Sequence, residues 1–158
     1  MSDLTHVSDL THVNEQGRAR MVDVSAKDVT VREARAEGEV RMRPATVAII
    51  REGRAAKGDV LGVAQVAGIM GAKATSTVIP LCHPLPLSGI DLHFELDDAE
   101  GRVVIRSTVH TTARTGVEME ALTAVSAAAL TVYDMCKAVD KEMVIGAIHV
   151  THKSKRPT

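Results

Sequence analysis

At 158 residues the chain has room for one domain with a real core, and not for two comfortable ones. Its 19 Lys+Arg against 20 Asp+Glu leave a formal net charge of -1, so no global basic field exists to attract nucleic acid. With no Trp, one Tyr and one Phe it also lacks the faces on which bases stack, and a nucleic-acid partner is excluded as the main one. Two cysteines, Cys82 and Cys136, make no disulfide framework and fit a reducing compartment. The N-terminus is polar and no apolar run approaches a membrane span, so the expectation is a soluble, cytoplasmic protein without a membrane partner. A core of Val, Ile, Leu, Met and Ala has little bulk per residue, and oligomerisation would bury more surface.

The chain opens on a tandem hexapeptide, Ser2 to Val7 repeated as Ser8 to Val13. Two copies are too short for a repeat fold, so residues 1–20 are expected to form a mobile arm. From Ala34 to Met42 the residues alternate strictly, with Ala34, Ala36, Gly38, Val40 and Met42 on one face and Arg35, Glu37, Glu39 and Arg41 on the other. Period two with one polar face predicts a half-buried strand. Pro44 suits the first turn of a helix and Gly53 its end. Asp59 is an N-cap for a second helix to about Lys73, in which Gly68 and Gly71 allow close packing. Pro80, Pro84 and Pro86 then stiffen a loop carrying Cys82 and His83. Ile90 to Leu96 alternates, turns at Asp98 to Gly101, and resumes at Val103 and Ile105 as a hairpin. Thr115 and Glu118 read as a capping box opening a long small-residue helix through Thr131-Val-Tyr-Asp-Met-Cys-Lys137. The apolar run from Met143 to Val150 is a closing strand, followed by a basic tail at 154–158. Strand, two helices, two strands, helix and strand give an α+β fold. The order is that of a ferredoxin-like split β-α-β sheet, antiparallel, with helices on one face and one added helix.

Ionisable groups gather at the two ends of the long helix, Glu118 and Glu120 at its start and Asp134 and Lys137 at its finish. At about 1.5 Å per residue these clusters lie roughly 24 Å apart, too far for one site to use both from a single chain. Each candidate has a plain alternative. Glu118 is explained by the cap, whereas Glu120 is not. Asp134 and Lys137 form an i,i+3 pair, although partial burial would lower the lysine's pKa and allow acid–base work. Lys57, beside a helix N-terminus, either holds a phosphate or is a surface lysine. Cys82 and His83 lack the further partners of a metal site, and as neighbours in extended chain they point apart, so substrate contact by a rigid loop fits best, with a purely structural loop as the second reading.

Lys57-Gly-Asp-Val60, Ile79-Pro-Leu-Cys-His-Pro-Leu85, Thr115-Gly-Val-Glu-Met-Glu-Ala-Leu122 and Tyr133-Asp-Met-Cys-Lys-Ala138, in this order, resemble the molybdenum-cofactor biosynthesis protein C family. The likeness runs from about Met21 to Lys153 as a single domain. It implies a lyase that converts (8S)-3′,8-cyclo-7,8-dihydroguanosine 5′-triphosphate to cyclic pyranopterin monophosphate and releases pyrophosphate. It also implies a homohexamer built as a trimer of dimers with sites between subunits, and a functional link to the upstream radical-SAM enzyme. By the same resemblance Asp134 is the catalytic acid/base, Lys137 its partner and Lys57 a further catalytic or phosphate-contacting lysine. Leu81, Cys82, His83, Met119 and Glu120, with Glu118 beside them, would line the substrate pocket, and Arg32, Lys27 and Lys153 would hold phosphates. No cofactor and no protein-bound metal are expected, with Mg2+ dependence left open. The competing expectation is a non-catalytic oligomeric scaffold, or a binder of anionic small molecules, of the same fold.

Overall fold

The computed structural model describes residues 11–158. The first hexapeptide copy and the first half of the second, on which the expected mobility of the arm rests, lie outside the described residues. The element order is β1 (Thr30–Arg41), α1 (Pro44–Arg51), α2 (Val60–Lys73), α3 (Thr75–Val78), β2 (Leu87–Asp97), β3 (Arg102–Ala113), α4 (Glu118–Cys136) and β4 (Val144–Arg156). Four strands form one sheet in the order β2-β3-β1-β4, and every neighbouring pair is antiparallel. β1 and β2 run the same way with β3 between them, so this is the ferredoxin-like split β-α-β arrangement with α1 as the additional helix.

The alternation expected in β1 is present. Ala34, Ala36 and Val40 are buried under the helices together with Val103, Ile105 and Val109 of β3. The opposite face is held by ion pairs rather than apolar packing. Arg106 bridges Glu37 of β1 and Glu95 of β2, and Arg102 bridges Glu39 and Asp97. Such half-exposed pairs contribute little each, but they cross three strands and fix register on the polar face. α4 rests on β1, β3 and β4, while α2 packs on β2 and lies against α4.

Glycines set how closely these layers meet. A Cβ on Gly38 would lie 2.8 Å from side-chain atoms of both Val125 and Ile148. On Gly71 it would lie 2.6 Å from the Ala127 Cβ and 3.1 Å from the Thr123 carbonyl oxygen. Neither Gly71 neighbour can swing away, because one is a first side-chain carbon and the other is helix backbone. Gly71→Ala is therefore expected to destabilise by about 1–2 kcal/mol through overpacking, despite alanine's better helix propensity. A lowered urea midpoint with an unchanged slope is the expected reading, and an unaltered midpoint would mean that the two helices separate freely.

Three local expectations are corrected. The Thr115–Glu118 capping box does not form: α4 begins at Glu118 after Val117, and no side chain caps it. Thr115 and Gly116 instead line a cavity, and the Glu118 carboxylate turns toward Lys153, 3.8 Å away. The closing strand does not stop at Val150. It runs to Arg156, pairing Lys153 with Ala34 and Arg156 with Val31, so residues 154–156 are strand and not tail. β4 is an edge strand, and its last residues are exposed on both faces, so no apolar alternation marks it. α3 was also hidden, since four residues carry no period; the Thr75 hydroxyl anchors it by donating to the Ala72 carbonyl at 2.9 Å.

Candidate functional site

The proline-rich loop and the start of α4 face each other across a cavity of about 290 Å³. Leu81, Cys82 and His83 form one wall, Glu118, Met119 and Glu120 a second, and Val22, Val24 and Lys27 a third. Two hydrogen bonds help to hold the loop in place. The Cys82 amide donates to the Ile79 carbonyl at 3.2 Å, and the Thr111 hydroxyl of β3 donates to the Pro86 carbonyl at 2.7 Å. Seven of the residues expected to contact substrate thus converge on one space. His12, Thr115 and Gly116 line it too, and the sequence reading missed them as site residues. The only available signal for Thr115 and Gly116 was their place in the helix-opening motif, where capping explained them equally well.

Glu120 is the buried charge of this cavity, only 4% exposed. Burial pushes its carboxyl above the usual range, the hydrogen bond from its own backbone amide acts the other way, and the Glu118 carboxylate adds to the rise. Burial also pushes the Cys82 thiol up, and the negative charge of Glu120 adds to it. A raised pKa disfavours the nucleophilic thiolate form of Cys82.

A second recess, also about 290 Å³, adjoins the first through shared residues Gly116 and Glu118. Arg32 and Lys153 line it, joined by Lys155, which the expected basic tail had concealed. Of the residues expected to hold phosphates, Lys27 therefore faces the first recess, while Arg32 and Lys153 face the second. This side of the molecule offers cations next to a buried carboxyl, a combination suited to a polar ring system bearing phosphates.

The third group lies elsewhere. Lys57, in the turn before α2, reaches the last turn of α4, where its ammonium sits 2.9 Å from Asp134 Oδ2 and donates to the Asp134 carbonyl at 3.0 Å. Lys137 pairs with Oδ1 at 2.7 Å. The Lys137 ammonium first, then that of Lys57, holds the Asp134 carboxyl down at about 2. The partial burial expected here is absent, since Asp134 is 54% exposed. Its charge also raises the Lys137 pKa, the opposite of the shift that burial would cause. Cys136 is in the core, and among the described residues no three His, Cys, Asp or Glu side chains come together as metal ligands. Among the described residues no helix is long and apolar enough to cross a membrane.

Met119 and Asp134 stand fifteen residues apart on one straight helix, about 22 Å, so within one chain the cavity and the Lys57–Asp134–Lys137 cluster do not meet. The geometry sets two separate groups of residues rather than one.

Comparison with known proteins places the chain. The MoaC family model matches residues 21–156. A cyclic pyranopterin monophosphate synthase of Brevibacillus brevis is 66% identical over 145 residues, 92% of this chain and 90% of that protein. The proteins of the same name from Pelotomaculum thermopropionicum and a Roseiflexus species are each 61% identical over 148 residues, covering 87% and 94% of their own lengths. Coverage this complete leaves no part of the fold described above outside the match, and the chain belongs to the MoaC family.

Proposed function

We propose that this protein is a cyclic pyranopterin monophosphate synthase, a lyase of molybdenum-cofactor biosynthesis. It takes the 3′,8-cyclised dihydro-GTP made by a radical-SAM enzyme and rearranges it to the cyclic pyranopterin monophosphate. The observation that carries this reading is the convergence of Leu81–His83, Glu118–Glu120 and Lys27 on one cavity beside a cationic recess. The reaction opens the purine, closes the pterin and pyran rings, and lets a sugar hydroxyl attack the α-phosphate with loss of pyrophosphate. Each step moves protons, and the last develops charge on phosphate oxygens. Glu120, with its raised pKa, is suited to hold or give a proton at the ring system. Lys27, Arg32 and Lys153 supply positive charge for phosphates. Asp134, held at about 2 by its lysines, is a weak base until a phosphate competes for Lys57 or Lys137. Drawing either ammonium away returns Asp134 toward its ordinary basicity, so substrate binding itself switches it on. A scaffold that had lost its chemistry would have no need to keep this triad, and that reading is not favoured.

The two half-sites imply a second copy of the chain. The outward stripe of α4 is Met119, Leu122, Ser126, Leu130, Tyr133 and Lys137, and Leu130 is 62% exposed. The Ser126 hydroxyl donates to the Leu122 carbonyl at 2.8 Å, so the stripe presents a largely apolar surface. An antiparallel copy crossing at Ser126 would set Leu122 against the partner's Leu130, both being four residues from 126, and would bring the Glu118 end of one helix alongside the Asp134 end of the other. Such a pair would be the dimer unit of the expected trimer of dimers, working in the cytoplasm. The reading needs no resident cofactor, and any Mg2+ would travel with the triphosphate.

The test is to incubate the purified protein with the cyclised dihydro-GTP and measure pyrophosphate and pterin product, with and without EDTA. Formation of both is expected. Absence of both where a related synthase turns over would end the proposal.

A further inference from the structure

Arg114 lines neither recess, yet it is the junction of three segments that do. Its guanidinium donates to the backbone carbonyl of Ser25 at 2.6 Å and to that of Lys27. Its own carbonyl accepts from the Arg32 guanidinium at 3.3 Å. Residues 114–117 lead directly into the Glu118–Glu120 wall. Among the described residues the segment 22–27 is joined to the body of the protein by no other hydrogen bond. It belongs to no strand or helix, and its internal bonds, the Ser25 amide to Asp23 and the Lys27 amide to Val24, shape the turn without anchoring it. Val22, Val24 and Lys27 nevertheless form a wall of the cavity, and Lys27 pairs with no carboxylate among the described residues.

We infer that Arg114 is a positioning residue that pins the 22–27 wall by two carbonyls and so holds Lys27 over the cavity to meet the anionic part of the substrate. This deepens the proposed function and rests on it for the nature of the ligand. A cation bonded to two carbonyls is a strong tether, because charge-assisted hydrogen bonds are roughly twice as strong as neutral ones. The chemistry-bearing groups Glu120 and Asp134 do not touch Arg114, so its loss should weaken substrate capture and leave the chemical step largely intact.

The test compares Arg114→Met and Arg114→Lys with the wild type. Arg114→Met is expected to raise KM about tenfold with kcat within about twofold, since a loosened wall lowers the population of the binding-competent arrangement. Lysine can still donate to both carbonyls, so Arg114→Lys should restore most of the affinity. Amide hydrogen exchange of the unliganded proteins supplies a reading that needs no turnover. Exchange in peptides covering 22–29 should quicken in Arg114→Met and return in Arg114→Lys, with β1 and α4 unaffected. Unchanged exchange in 22–29, or a kcat loss at constant KM, would overturn the inference. Quickened exchange throughout the protein would also overturn it, because it would make Arg114 a general structural residue. If the wild type itself fails to turn over, the proposed function falls, and local exchange still decides whether Arg114 is the tether.

Discussion

Asp134→Asn is expected to lower turnover by about 10²–10³-fold while leaving the fold intact, since the side chain keeps its shape and loses only its basicity and charge. Asp134 is exposed and makes no core contact, so its far-UV circular dichroism and thermal midpoint should match the wild type. The same variant tests where the second half-site comes from. Glu120→Gln should also be nearly inactive alone. If each site takes Glu120 from one chain and Asp134 from its partner, unfolding and refolding an equal mixture of the two variants yields some sites with both wild-type groups. Random pairing then restores about a quarter of wild-type activity, as expected for a site shared across a two-fold axis. No restoration would sink the shared-site geometry. Unchanged turnover in Asp134→Asn would remove Asp134 from the mechanism altogether.

Asp140→Ala is expected to be the most destabilising single change, at about 3 kcal/mol, roughly 10 °C in the thermal midpoint. Asp140 is 2% exposed, in the loop between α4 and β4. Its carboxylate accepts from the Arg43 amide at 2.9 Å, the Thr46 hydroxyl at 2.9 Å and the Glu142 amide at 3.2 Å. It thereby caps the start of α1 from across the chain, where Arg43 itself offers no side-chain cap. Removing it leaves a buried hydroxyl and two amides unpaired, which is the costly direction of loss. Burial alone would raise this carboxyl, but the Arg43 amide, the Thr46 hydroxyl, the Glu142 amide and the Arg43 charge outweigh it, and the net shift is down from 3.8. A depressed folded pKa contributes stability that is complete above 3.8 and disappears as pH falls through the lower folded value. Wild-type stability should therefore decline below about pH 4 more steeply than that of the alanine variant. Parallel acid profiles would show that Asp140 is not the titrating group.

How much of this was legible in the sequence depends on whether a residue's task is local. The strand at Ala34–Val40 and the hairpin were readable because side chains alternate across a pleat, and one face here is apolar while the other carries the Arg102 and Arg106 ion pairs. The helix from Asp59 was readable because an N-cap acts three residues away, and the Asp59 carboxylate does accept from the Gly62 amide, at 3.0 Å. The capping box failed for the complementary reason. Thr115 and Glu118 satisfy the local pattern, but in the fold Thr115 lines the cavity and Glu118 turns toward Lys153, so the cap is not made. The C-terminal half of β4 was invisible because an edge strand exposed on both faces has no hydrophobic period to show.

The sequence by itself determined the family, the order of the longer elements and the identity of half the residues that line the cavity, because those are written in contiguous motifs. It also determined that the two charged ends of α4 cannot share a site in one chain, since helix rise is a fixed length. Only the tertiary structure decided that Lys57, 77 residues away, closes on Asp134. It alone decided that Arg114 holds the wall carrying Lys27, and that Asp140 caps α1 from the far side of the chain. Those contacts join segments far apart in sequence, and no local spacing encodes which distant carbonyl or carboxylate a side chain will meet when the sheet closes.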